Sequence, residues 1–182
     1  MKNRISCDAL SDFILKENNL TEPLYYNNRE KTLRFDLKSR GEYDNQAFIR
    51  AMFGEFFCPG NIMYVISYYG GDFFRPARAK KYFKAFSLRK VFTKSYPQNP
   101  ENDIENPYFT LYCTYASNFR SEKYFNDLIN SDLKASLTFV SWKRGAALNF
   151  YGEDGFDVFI DDPQFYLYIK DKYSDRLLVE YK

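Results

Sequence analysis

A chain of 182 residues with a formal net charge of +2 has the length of one core-bearing domain and argues against a second independent core. It contains no histidine, which excludes Ser-His-Asp and Cys-His triads, histidine-based ribonuclease chemistry and imidazole metal ligands; any chemistry must run on carboxylates, Tyr, Lys or Cys. Cys7, Cys58 and Cys113 are odd in number and lack C-x-x-C spacing, which speaks against a disulfide framework and a zinc site and for a reducing cytoplasm.

In chain order, residues 6–18 place Leu10, Phe13 and Ile14 on one face of a short amphipathic helix, and the acids and Lys16 that interrupt this stretch exclude a signal peptide or anchor. LYYNNREKTLRFDL predicts a hairpin with arms near 24–26 and 32–37 around an Asn-rich turn. From Asp44 the period changes, and Ala47, Phe48, Ala51, Met52 and Phe56 form a helical stripe that Cys58-Pro59-Gly60 terminates. NIMYVISYYG, bounded by Pro-Gly and Gly-Gly, predicts a strand near the centre of the sheet.

Further along, residues 75–94 predict a basic helix around 78–86 followed by a strand through 88–93. PQNPENDIENP, at 97–107, is a surface loop. YFTLYCTYA predicts a strand and SEKYFNDLIN a helix. SLTFVSW, AALNFY and FDVFI predict three successive antiparallel strands joined by short glycine-containing connections. Asp162-Pro163 opens a last helix with Phe165, Tyr166, Ile169 and Tyr173 on its apolar stripe. Helices interspersed with hairpins indicate a single α+β domain over 1–182, a largely antiparallel sheet with several short helices packed on it.

Charge is segregated along the chain. Residues 1–94 carry 17 Lys or Arg against 10 Asp or Glu, and residues 95–182 carry 9 against 14, so the halves are +7 and −5. Residues 75–94 hold eight basic side chains and no acid, among them Arg75, Arg78, Lys80, Lys81 and Lys84. Basic groups interleaved with aromatics suit phosphates and stacked bases, which makes this segment an alternative, nucleic-acid-binding surface; a solvated helix face is the plainer reading. FYGEDGFDVFIDD at 150–162 holds five acids and no base. Its spacing does not match a calcium-binding loop, and one strand alone cannot show two carboxylates converging for Mg²⁺ binding or hydrolysis. Asp154-Gly155 reads as a turn and Asp162 as a helix cap. That leaves Glu153, Asp157 and Asp161, with Tyr151 and Phe159, as a candidate acidic, aromatic docking strand.

The order of blocks in NFYGEDGFDVFIDDPQFYLYIKDKYSDRLLVEY resembles a bacterial family of uncharacterised domains often encoded beside polymorphic toxins and regarded as candidate immunity proteins. TLRFDL, FFCPGNIMYVIS and YFTLYCTYASNFRSEKYFNDLIN are further similar blocks, so the likeness spans most of the chain. Asp154 stands where the family usually has a basic residue before the turn glycine. The resemblance implies a cytoplasmic antitoxin that inhibits the C-terminal domain of a cognate toxin by stoichiometric binding, as in contact-dependent growth inhibition. It implies no catalytic residues, metal or cofactor. A basic nuclease toxin would suit the acidic strand, and an acidic toxin surface would equally suit the basic segment. A carboxylate-dependent hydrolase is the remaining alternative.

Overall fold

A computed structural model describes residues 7–14, 28–37, 41–58, 61–69, 87, 89–95, 108–116, 137–150 and 155–178. Among these, three helices and seven strands follow in the order α1 (Cys7–Asp12), β1 (Thr32–Asp36), α2 (Glu42–Phe56), β2 (Ile62–Tyr69), β3 (Arg89–Ser95), β4 (Tyr108–Tyr115), β5 (Leu137–Ser141), β6 (Ala146–Phe150), β7 (Gly155–Ile160) and α3 (Pro163–Lys172). The strands form one sheet, ordered β1-β7-β6-β5-β2-β4-β3, with every neighbouring pair antiparallel. The fold is therefore α+β. The arm expected at 24–26, the helices expected at 78–86 and 121–130, and the loop at 97–107 lie outside the described residues.

The last three strands form where the sequence places them, as a meander. The β5–β6 connection is a single 3-10 turn, Trp142–Arg144, closed by Gly145 in the left-handed region at φ 56°, a conformation that costs a side-chain-bearing residue about 1–2 kcal/mol. A Cβ at Gly145 would also stand 3.3 Å from Asp161 Cβ. β2 lies near the centre of the sheet, as expected, paired with β4 on one side and with the middle strand β5 on the other.

Both faces of the sheet are covered. On the first face, α2 and α3 pack on Leu33, Phe35, Met63, Val65, Phe139, Leu148, Phe150, Phe156, Val158 and Ile160. Aromatic rings fill this layer: Phe150 and Phe156 stack at 4.8 Å between centroids, Phe35 and Phe156 at 5.3 Å, and Phe48 of α2 lies 5.4 Å from Phe156. On the second face, Leu10, Phe13 and Ile14 of the α1 segment join Tyr64, Ile66, Leu111, Val140, Ala147 and Phe159, with Phe13 edge-on to Trp142 at 4.9 Å. Such rings each carry a large apolar area, so the high Phe content goes largely into holding helices on the sheet.

The stripe of α2 is shifted from the one expected. Ala47 and Ala51 are exposed, and Ile49 and Phe53 are buried beside Phe48, Met52 and Phe56. The larger side chains gain more by leaving water, so the helix turns them inward and leaves the alanines on its flank. α3 starts as expected: Asp162 Oδ1 accepts from Gln164 N–H at 2.9 Å and from Phe165 N–H at 3.4 Å, with Pro163 in the first turn. After α3 the chain returns to the sheet. Buried Arg176 pairs with Asp44 at 2.6 Å, donates to Asn45 Oδ1 at 3.3 Å and lies 4.9 Å over the Phe48 ring. This clamp sets Leu177 against Phe35, and Leu178 N–H donates to Arg34 O at 3.1 Å, so residues 177–178 cover the outer side of β1.

Candidate partner interface

Strand β7 carries two of the residues expected to dock a partner, Asp157 and Phe159, and its surroundings decide what each can do. All six residues of β7 are buried, because the strand lies between β1 and β6 and each of its alternating rows faces a packed layer. Phe156, Val158 and Ile160 point into the first layer and Phe159 into the second, where its exposure is 0%. The expectation of an exposed aromatic at Phe159 is thus corrected: the ring belongs to the contact with α1.

Asp157 is corrected in the same way. Its side chain is 3% exposed, and its Oδ1 accepts from Arg34 Nε at 3.0 Å. The two residues are directly opposed in the β1–β7 ladder. Asn149 opposes Asp157 on the other side and Thr138 opposes Asn149, with Asn149 Nδ2 donating to Thr138 Oγ1 at 2.9 Å. Arg34, Asp157, Asn149 and Thr138 therefore form a polar row across four adjacent strands of the second face. Opposed residues of an antiparallel ladder share a face, which is why four separated sequence segments meet there. The alternation in TLRFDL puts Arg34 opposite in direction to Leu33 and Phe35, but no local signal could name Asp157 as its partner.

Asp161 is exposed and pairs with Lys31 at 2.5 Å. With both side chains about half in water, this is a surface ion pair of the kind that contributes little to stability. Tyr151 and Glu153 lie outside the described residues, as do Arg75, Arg78, Lys80, Lys81 and Lys84. Among the described residues, then, the structure does not bring the acidic stretch together as a solvent-facing cluster.

A different surface emerges at the opposite edge of the sheet. Large apolar side chains exposed among the described residues include Ile62 and Tyr115, each at 49%. They are directly opposed in the β2–β4 ladder and so present one continuous apolar spot. Arg89 of β3 opposes Cys113, two residues before Tyr115 on β4, and thus projects to the same face as Tyr115 and Ile62. A register shift between Lys90 and Phe92 lets Val91 and Phe92 both lean on the second-face core. Arg89, Lys90, Thr93 and Ser95 are exposed along this outermost strand. The sequence did not single out Ile62 and Tyr115, which look like ordinary strand residues until the strand order is known.

A model of the family described as "Domain of unknown function (DUF3885)" matches residues 10–181. The chain belongs to this family. No curated protein and no solved structure matches the chain. Among the described residues of this DUF3885 chain, no group of three or more His, Cys, Asp or Glu side chains could hold a metal ion, and no helix is long and apolar enough to cross a membrane.

A second exposed apolar group sits on α3 of the DUF3885 fold, where Leu167 and Tyr168 are 51% and 45% exposed. Here the polar atoms are engaged. Glu55 of α2 accepts from Lys172 Nζ at 2.5 Å and from the Tyr173 hydroxyl at 3.2 Å, and the Tyr168 hydroxyl approaches its Oε2 to 3.3 Å. Burial and the neighbouring Glu55 carboxylate push the Tyr173 hydroxyl up to about 12, and hydrogen bonds to Glu55 and Tyr168 raise Lys172. The group is a hinge-pin between the two first-face helices.

Proposed function

We propose that this DUF3885 protein works by binding another protein: it is a cytoplasmic immunity protein that neutralises the C-terminal, nuclease domain of a cognate toxin by stoichiometric association, as in contact-dependent growth inhibition. The observation that carries the reading is the exposed Ile62–Tyr115 pair beside the basic edge strand β3. A tyrosine and an aliphatic side chain held on rigid strands, with charged neighbours, have the composition of a protein-binding anchor and rim. Asp157, one of the acids a carboxylate-dependent hydrolase could have used, is engaged by Arg34 inside the fold. That favours recognition over catalysis, without a cofactor.

The test is to look for a large exoprotein encoded immediately upstream, to co-express its C-terminal domain with this chain and to assay that domain's toxicity. A complex of equal stoichiometry that abolishes the toxic activity is the expected result; a toxin domain that stays active and separate at equimolar concentration overturns the proposal. The nucleic-acid alternative keeps one specific observation in its favour, the proximity of Arg89 to exposed Tyr115. Retention on heparin with steep loss at moderate salt, and no toxin complex, would select it.

A further inference from the structure

The outer face of α3 carries a short stripe that the fold leaves in water. Residues three and four apart share a helix face, so Gln164, Leu167, Tyr168 and Asp171 line up along it, and all four are exposed. Leu167 and Tyr168, at 51% and 45% exposure, form an apolar centre between an amide at the N-terminal end and a carboxylate at the C-terminal end. We propose that this stripe is a self-association surface: two copies of the chain pair through α3, antiparallel about a two-fold axis, with Leu167 of each against the partner's Tyr168 and Gln164 against the partner's Asp171. The inference goes beyond the toxin-binding reading and does not depend on it, since α3 packs on the first face of the sheet and the Ile62–Tyr115 spot lies on the second.

Symmetry and charge select the occupant. A two-fold interface requires that each position meet its complement, and the spacing 164, 167, 168, 171 reads the same in both directions. Run antiparallel, the Gln164 amide donates to the partner's Asp171 at both ends; run parallel, Asp171 would face Asp171. The charges beside the stripe follow the same polarity. Arg144 lies 4.9 Å over the Phe165 ring, at the N-terminal half of α3, with Lys143 beside it in the chain; both are exposed, and neither enters an ion pair among the described residues. Asp171, equally exposed and likewise without an ion pair there, stands at the C-terminal half. Antiparallel pairing brings Arg144 toward the partner's Asp171 twice and sets the two helix dipoles head to tail. It also turns Lys170, on the flank of the stripe, toward the partner's N-terminal end, where Asp161 and Asp162 are exposed. Lys172 is already answered by Glu55 at 2.5 Å. An acidic partner would be repelled by Asp171 and a basic one by Arg144 and Lys143, whereas a surface carrying both signs in the reverse order is the chain's own. The anchor is held in advance: the Tyr168 ring stacks on Phe165 at 6.1 Å between centroids, and its hydroxyl accepts from Lys172 Nζ at 2.7 Å. A side chain already fixed loses little entropy on binding. With 10 residues, α3 is about 15 Å long, too short for a standard-size interface, so the dimer is weak, with a dissociation constant on the order of 0.1 mM.

The test is sedimentation equilibrium of the full chain from about 1 µM to about 1 mM. The weight-average mass is expected to rise from the 21.7 kDa of the monomer toward twice that value. Leu167→Asp should hold it at the monomer value throughout, with an unchanged denaturation midpoint showing that the variant is folded. Arg144→Glu and Asp171→Arg are the decisive pair. Each alone sets like charges against each other at both ends of the contact and should weaken association at least about tenfold, whereas the two combined in one chain restore opposite charges at both ends and should recover the original mass rise. A chain that stays monomeric up to about 1 mM leaves the stripe to some other protein and overturns the proposal. Association that survives Leu167→Asp overturns it as well, because the contact then lies elsewhere. A double variant no better than either single one overturns the antiparallel pairing itself, since a parallel contact would keep like charges opposed in the double variant.

Discussion

A charged side chain can be buried only if another group answers its charge, and Asp157 beside Arg34 meets that condition across two strands. The consequence is asymmetric: removing one partner strands the other, whereas replacing both with apolar groups of similar volume need cost little. Arg34→Met should destabilise the fold by about 3 kcal/mol, and the double variant Arg34→Met, Asp157→Leu should regain most of that loss, both measured by urea denaturation. A double variant no better than the single one would show that the pair is not the unit. The residue scale also shows what sequence could reveal. Asp162 was readable because a helix cap is completed within three residues, and the structure shows its carboxylate on Gln164 and Phe165. Asp157 was misread as a surface acid because the residue that answers it stands 123 positions away.

At the scale of elements, α2 and α3 are joined by the Glu55 cluster, and its titration gives a pH signature. The Tyr173 hydroxyl lies in the fold at about 12, above its ordinary value of 10.0, and Lys172 is likewise raised. A group whose pKa is raised by folding contributes stability that is fully present below its unfolded value and is lost as pH climbs through the folded one. The denaturant midpoint should therefore fall between pH 10 and about 12. Tyr173→Phe, which cannot ionise, should lower the midpoint at neutral pH slightly and flatten the fall across that window. An identical alkaline slope in the two proteins would show that Tyr173 does not couple to folding. Periodicity made these helices visible: Phe48, Met52 and Phe56, and Phe165, Tyr166, Ile169 and Tyr173, were legible as inward stripes. The inclusion of Ile49 and Phe53 in place of Ala47 and Ala51 depended on which side chains the sheet had room to bury, and that is decided by packing.

For the molecule as a whole, strand existence was readable and strand adjacency was not. β5, β6 and β7 are neighbours in sequence and in space, so their short turns predict their pairing. The placement of β2 between β4 and β5, and of β1 beside β7, has no local cause, and with it were hidden the polar row and the Ile62–Tyr115 spot. The cover that residues 177–178 lay over β1 belongs to this scale as well. Leu177 is 4% exposed and holds the chain over β1. Leu177→Asp should cost about 3 kcal/mol or more by placing an unpaired charge in the core, and should raise concentration-dependent light scattering as the β1 edge is uncovered. Lost stability with no rise in scattering would mean that residues 177–178 fasten the core without guarding the edge.

The adjacency of β1 and β7 also sets an order in time. During synthesis the meander β5–β6–β7 can close as soon as it is made, because its contacts are local and the entropy of closing short loops is small. β1 is translated far earlier yet must wait for β7 before Leu33 and Phe35 find Val158 and Phe156. The first of the described strands to be made is thus among the last to be seated, and until then its apolar face stays exposed. Such long closures, β1 on β7 and β2 on β5, are expected to slow folding relative to the local meander.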